Sequence, residues 1–158
     1  MKILAIDPGN EYSAWCVLEE GRPVSYAKQP NVALLQRLRN GFECGADLLA
    51  VEMIASYGMA VGREVFETCL WIGRYLEAWE SHGGPYQLVY RREVKLFHCQ
   101  SVRATDANIR AALLDRYGPG KGRAVGKKSS PGPLFGVTGD VWSALAVGLT
   151  AMEALKPS

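Results

Sequence analysis

Residues 2–19, KILAIDPGNEYSAWCVLE, read as two strands joined by a tight turn, and the rest of the chain is read outward from them. KILAID is a short apolar run ending in an acid, Pro8, Gly9 and Asn10 punctuate it, and YSAWCVLE (12–19) is apolar again. Gly21, Arg22 and Pro23 make a second tight connection into VSYAK (24–28), so an antiparallel meander of three strands is expected. Asn31 then stands as N-cap of a helix through VALLQRLRNGF, where Val32, Leu35, Leu38 and Phe42 lie near helical spacing.

Beyond this point helices and strands alternate. LLAVEMI (48–54) is a continuous apolar run with one acid inside it, as in a central strand covered on both faces. A loop over 55–62 leads to a long helix over 63–81, with Val65, Cys69, Ile72, Leu76 and Trp79 as its core stripe. Gly83, Gly84 and Pro85 end that helix, and YQLVYR (86–91) supplies the fifth strand. A short helical piece over 93–97 and a helix over 105–117, capped by Thr105, come next. Residues 118–139 are rich in Gly, Pro, Ser and Lys, and are expected to form a flexible basic loop rather than an element. A helix over 140–155 closes the order.

The expected fold class is therefore α/β: a mixed five-stranded sheet, the three-strand meander plus parallel strands, flanked by helices in the RNase H-like order. No internal repeat or composition break divides the chain, so residues 1–158 are read as one domain. The apolar share of 48% and charged share of 22% are ordinary for a globular chain and argue against disorder or a coiled coil. No apolar run approaches the length of a membrane span, and Asp7 interrupts the first one, which argues against an anchor or signal peptide. The expected setting is the cytoplasm. Cys16, Cys44, Cys69 and Cys99 form no C-x-x-C pair and only His82 and His98 accompany them, so buried free thiols are expected rather than a zinc site.

The net charge of +2 conceals an asymmetry. Residues 91–128 hold ten Lys and Arg against three acids, a local charge of +7, which leaves −5 for the remainder. A basic region beside an acidic one suits a protein that binds a polyanion and carries a carboxylate site, although a solvated basic surface would look the same. Lys121, Arg123, Lys127 and Lys128 are the candidate phosphate contacts, because their charges share one sign in a glycine-rich segment.

Three acids carry the chemistry. Asp7 ends the first strand, Glu52 lies inside LLAVEMI, and Asp140 opens the last helix. Taken singly, Asp7 serves equally as a turn former before Pro8 and Gly9, and Asp140 as a helix cap. Glu52 resists such a reading, since an ionised carboxylate in a buried strand is costly unless it is paired or metal-bound; Arg63 and Arg74 are its candidate partners. In this topology all three converge at one end of the sheet, where they form a candidate catalytic and metal-binding set.

IDPGN at the end of strand one, AVEMI on the central strand and GDVWSALAVGLTA on the last helix together resemble the catalytic motifs of the RuvC-type Holliday junction resolvases, of the RNase H-like superfamily. The resemblance runs in order along the whole chain, and so compact a form suits a phage or prophage enzyme. It implies a homodimeric endonuclease that resolves branched DNA by paired cleavage, with two Mg²⁺ or Mn²⁺ ions held by Asp7, Glu52 and Asp140. The family's usual second acid on the last helix, three residues after the first, is Ser143 here, which leaves the set one carboxylate short; Glu11 is a possible helper. Tyr57 and Met59, in the glycine-flanked loop after Glu52, could contact unpaired bases, as the resemblance implies, or Tyr57 could pack on its own helix; the long helix carries Phe66 and Leu70 on one flank and Trp71 and Tyr75 on the other, which suits the subunit pairing that the resemblance implies or a wide intramolecular core.

Other functions share some of these features. A nuclease for RNA or RNA–DNA hybrids would need the same acids plus contacts to 2′-hydroxyls. A DNA-binding relative without catalysis is compatible with Ser143. The turn IDPGN is also similar to the phosphate turn of actin-like ATPases, but those clamp a nucleotide between two domains, so no nucleotide cofactor is expected.

Overall fold

The structure, a computed structural model, describes residues 1–158. Strands β1 (Lys2–Asp7), β2 (Tyr12–Glu19) and β3 (Arg22–Pro30) form the antiparallel meander, and β4 (Leu48–Met53) and β5 (Tyr86–Tyr90) add parallel to β1, in the order β3-β2-β1-β4-β5. Helices α1 (Asn31–Arg39) and α2 (Arg63–Glu80) cover one face, and α6 (Val141–Ala154) lies on the other, where α3 (Arg91–Cys99) and α4 (Asp106–Tyr117) pack beside it.

Side-chain alternation sorts the two layers. Ile3 and Ala5 of β1, Ala14, Cys16 and Leu18 of β2, and Leu48 and Ala50 of β4 pack in the α6 core, while Leu4, Ile6, Trp15, Val17, Leu49 and Val51 pack in the α1 and α2 core. Helix α6 is apolar all round and accordingly buried, with Ser143 half-buried near its start. It lies close to the sheet because residue 148 is glycine: a Cβ there would stand 2.5 Å from Leu18 Cδ1 and 3.0 Å from Ala5 Cβ.

Four local expectations change. Asn31 is not the N-cap of α1, a position held by Pro30; it occupies the first turn, fully buried, for a reason that belongs to the site. The buried side of α2 is Thr68, Ile72, Tyr75, Ala78 and Trp79, so the expected stripe is rotated, with Val65, Cys69 and Leu76 only half-buried. Arg91 begins α3 rather than ending β5, and that helix runs on to Cys99. Residues 118–139 are not free of elements: they contain α5 (Gly120–Ala124) and a small hairpin of β6 (Gly126–Lys127) and β7 (Ser130–Pro131). Ala124, Leu134 and Val137 anchor that segment in the α6 core, and Tyr26 Oη donates to Phe135 O at 2.6 Å. Thr105 caps α4 as expected, its Oγ1 accepting from Asn108 N at 3.2 Å.

Candidate active site

The turn after β1 is built from below. Asn31 Nδ2 donates to Gly9 O at 2.8 Å, and Ser13 Oγ donates to Asn31 Oδ1 at 2.7 Å. Ser13 Oγ in turn accepts from Gly9 N at 3.3 Å and lies 3.0 Å from Tyr75 Oη on α2. Gly9 is required here because a Cβ would stand 2.3 Å from Tyr12 O. Buried polar groups are retained where each has partners, and this closed network fixes the chain leaving Asp7.

Asp7 follows Ile3 and Ala5 at alternate positions, and Glu52 follows Leu48 and Ala50, so both carboxylates project from the α6 face of the sheet. The Ile6 and Val51 pairing puts them side by side on neighbouring parallel strands, at their C-terminal ends. Asp140 reaches the same end from the start of α6. It stands at that helix's N-cap position, yet its side chain makes no capping bond; Oδ2 meets Lys28 Nζ at 2.7 Å.

Electrostatics follows from this crowding. Burial, then the charges of Glu52 and Asp140, push the Asp7 carboxyl up to about 8. Burial likewise raises Glu52, against the opposing charges of Arg91 and Lys95. Glu52 Oε2 is buried without any hydrogen-bond partner. A buried carboxylate oxygen without a donor is expensive, and a divalent cation among hard oxygen ligands is the group that would satisfy it. The three acids therefore fit a Mg²⁺ or Mn²⁺ ion in chemistry. As they stand they do not close into a cluster of three that would grip one, Asp140 being turned toward Lys28.

The expected partners of Glu52 are elsewhere: Arg63 pairs with Glu67, and Arg74 lies 4.5 Å over the Trp71 ring. Arg91 and Lys95, near the start of α3, are the cations whose charge offsets the burial of Glu52, but neither forms an ion pair with it, and Arg91 pairs with Asp106 on α4. Beside them runs a cleft of about 440 Å³ whose lining includes Arg91, Asp106, Arg110, Asp140, Trp142 and Ser143. Glu11 is exposed; its backbone carbonyl accepts from Asn31 N.

The other expected contacts divide: the loop after β4 leaves from this end, whereas α5 follows Tyr117, whose Oη donates to Gly21 O at the opposite end of the sheet. Tyr57 and Met59 are exposed on the loop after β4, Tyr57 with φ 51°, and Tyr57 shares a second cleft of about 240 Å³ with Arg91, Arg92, Lys95 and Val102. Lys121 and Arg123 lie exposed on α5, and Lys127 and Lys128 on the hairpin. Lys28, Arg91 and Lys95 are the side chains near the acids that motif reading leaves out. Their signal is pairing register and the start of α3, neither of which is written in a local motif.

The crowding has a thermodynamic consequence. An unfolded Asp titrates near 3.9, so between about pH 4 and pH 8 the folded chain keeps a proton at Asp7 that the unfolded chain releases, and stability falls as pH rises through that window. Without divalent metal, Asp7→Asn should therefore be more stable than the wild type at pH 8, by up to about 5 kcal/mol or roughly 10–20 °C, with the gap closing toward pH 4. Calorimetric scans in chelator at both pH values check this. A wild type that melts above the variant at pH 8 contradicts it.

No protein-family model matches the chain, and no curated protein matches it in sequence. Among solved structures, RuvC of Thermus thermophilus superposes with a TM-score of 0.68 at 18% identity, over 98% of this chain and 95% of that one. A structure of T. thermophilus RuvC in complex with Holliday junction substrate also gives 0.68, at 19% identity, over 98% and 94%. The fold is thus RuvC-like and RNase H-like over nearly its whole length.

Proposed function

We propose that this chain is a divalent-metal-dependent endonuclease that cuts branched DNA by phosphodiester hydrolysis, acting in recombination or repair, with Asp7, Glu52 and Asp140 as its metal-binding acids. The observation that carries the reading is the partnerless, buried Glu52 Oε2 beside Asp7 on the α6 face. A divalent ion held there would supply a Lewis acid for the phosphodiester oxygen and lower the pKa of an attacking water. The chain's own residues do the rest. The Asn31 and Ser13 network holds the Asp7 turn, and burial keeps competing water from Glu52.

Branched DNA is favoured as substrate by the exposed basic and aromatic side chains. Lys121, Arg123, Lys127 and Lys128 offer positive charge to phosphates, and Tyr57 and Met59 offer exposed faces to unpaired bases on the loop that leaves the acid-bearing strand. A second copy of the chain completes the reading. Phe66 and Leu70 are 62% and 70% exposed on one stripe of α2, which Gly73 continues, so a partner helix meets apolar side chains and then bare backbone. Tyr75, which sequence spacing also set on a flank, is turned into the core. No helix is long and apolar enough to cross a membrane, and we place the protein in the cytoplasm. Ser143 supports one other reading, a DNA-binding relative without catalysis.

Incubation with matched four-way, three-way, flap, duplex and RNA–DNA hybrid substrates, with Mg²⁺ or Mn²⁺, tests the proposal. The expected result is symmetric paired nicks in the four-way junction. Faster cutting of the hybrid reassigns the substrate to RNA-containing duplexes, and binding without cutting under either metal supports the non-catalytic relative.

A further inference from the structure

Sheet register carries one cation into the acid site. Asp7 is paired with Ala14 on β2, and Ala14 is paired with Lys28 on β3, so the three lie in one cross-strand row on the α6 face, which Glu52 extends on the other side. The residue between the lysine and the aspartate is a buried alanine, and the lysine meets Asp140 at the rim, where both side chains are 52% exposed. The Lys28 ammonium ends 2.7 Å from Asp140 Oδ2, and it also bears on Asp7.

We propose, on the basis of the nuclease reading above, that Lys28 is a built-in cation of this site, taking the charge that a second divalent ion would bring, and that the site holds one divalent ion rather than two.

The formal charges agree. With a divalent ion bound and the acids ionised, Asp7, Glu52 and Asp140 would contribute three negative charges and a bound phosphodiester one more. Lys28 and Lys95 offset two of these, and Arg91 is itself offset by Asp106. Two negative charges remain, which one divalent ion neutralises. A second ion would need a further acid facing Asp140; the side chain three residues on is Ser143, a neutral hydroxyl lining the same cleft. It would also have to displace the ammonium from Asp140. A lysine tethered to β3 is a point charge that needs no recruitment from solution, so the site's dependence on metal concentration is that of a single ion.

The test counts ions on the intact chain with Mn²⁺ alone, by titration calorimetry and by electron paramagnetic resonance. The wild type should bind one Mn²⁺ per chain with an uncoupled six-line spectrum. Lys28→Arg should keep that stoichiometry, and Lys28→Gln should bind the single ion roughly tenfold more tightly, since a like charge is removed from its vicinity. Lys28→Gln combined with Ser143→Asp should take a second ion and show an exchange-coupled pair. Two coupled ions in the wild type overturn the proposal. So does a double variant that folds, by circular dichroism, yet still binds one ion. A wild type that binds no Mn²⁺ at all overturns it together with the metal-dependent reading, whereas two ions would leave that reading standing.

Discussion

Glu52→Gln should abolish junction cleavage, by at least about a thousandfold, while junction affinity stays within a few-fold of the wild type. Gln preserves the shape of the side chain and removes the charge, and the buried oxygen that lacks a donor is the atom a cation would satisfy. Asp7→Asn should cost as much, because Asp7 is the acid that Glu52 and Asp140 both act upon. Asp140→Asn should follow, with the added effect of freeing Lys28. Single-turnover cleavage and filter binding on the same four-way junction separate the two quantities. Near-normal turnover in any one variant removes that residue from the site, and a parallel loss of binding would make it a phosphate-side contact instead.

If the proposed dimer forms through α2, Leu70→Glu should convert it to monomers and eliminate coordinated incision of the two opposing strands, leaving only slow, unpaired nicks. A two-fold interface places the substituted residue in both subunits, so two carboxylates lose water on association, each at a cost of about several kcal/mol. Leu70 is a clean probe because it is 70% exposed and takes no part in either core. Trp71 is less suitable: it is half-buried, with Arg74 over one face and Tyr75 at 6.1 Å, so a charge there would also disturb the helix's own packing. Sedimentation of the wild type and the variant, beside a junction assay that scores one or two nicks per molecule, reads both halves. A wild type that is monomeric on the junction sinks the dimer and with it the paired mechanism.

What could be read from the chain and what could not divide along one line. That Asp7 and Glu52 lie at one end of the sheet was legible because each is an acid set in an apolar strand, and Asp140 because it opens an apolar helix after a glycine-rich segment. The register between strands is not local, so nothing in the sequence around Lys28 sets it in a row with Ala14 and Asp7. Asn31 had the residue type of a cap, but the geometry that decides its role lies in Gly9 and Ser13, nearly twenty or more positions away. Helix α2 has apolar residues on too many sides for spacing to say which face turns inward, and the hydrogen bond of Tyr75 to Ser13 lies outside any hydropathy pattern. In residues 118–139 the three anchors Ala124, Leu134 and Val137 are too sparse among glycines, prolines and lysines to set a period.

Gly148 links heredity to chemistry at a distance. It lies eight residues along α6 from Asp140, about 12 Å at the helical rise, and touches neither the acids nor their cations. Yet α6 is a rigid rod that bears Asp140 at its tip, and any side chain at 148 must first move Leu18 or lift the rod off β1 and β2. Random mutagenesis scored only by loss of cutting would return this glycine alongside Glu52, although its contribution is clearance rather than reactivity. The tolerance of the acid site to inherited change is thus governed partly by a hydrogen atom on the sheet-facing side of the helix.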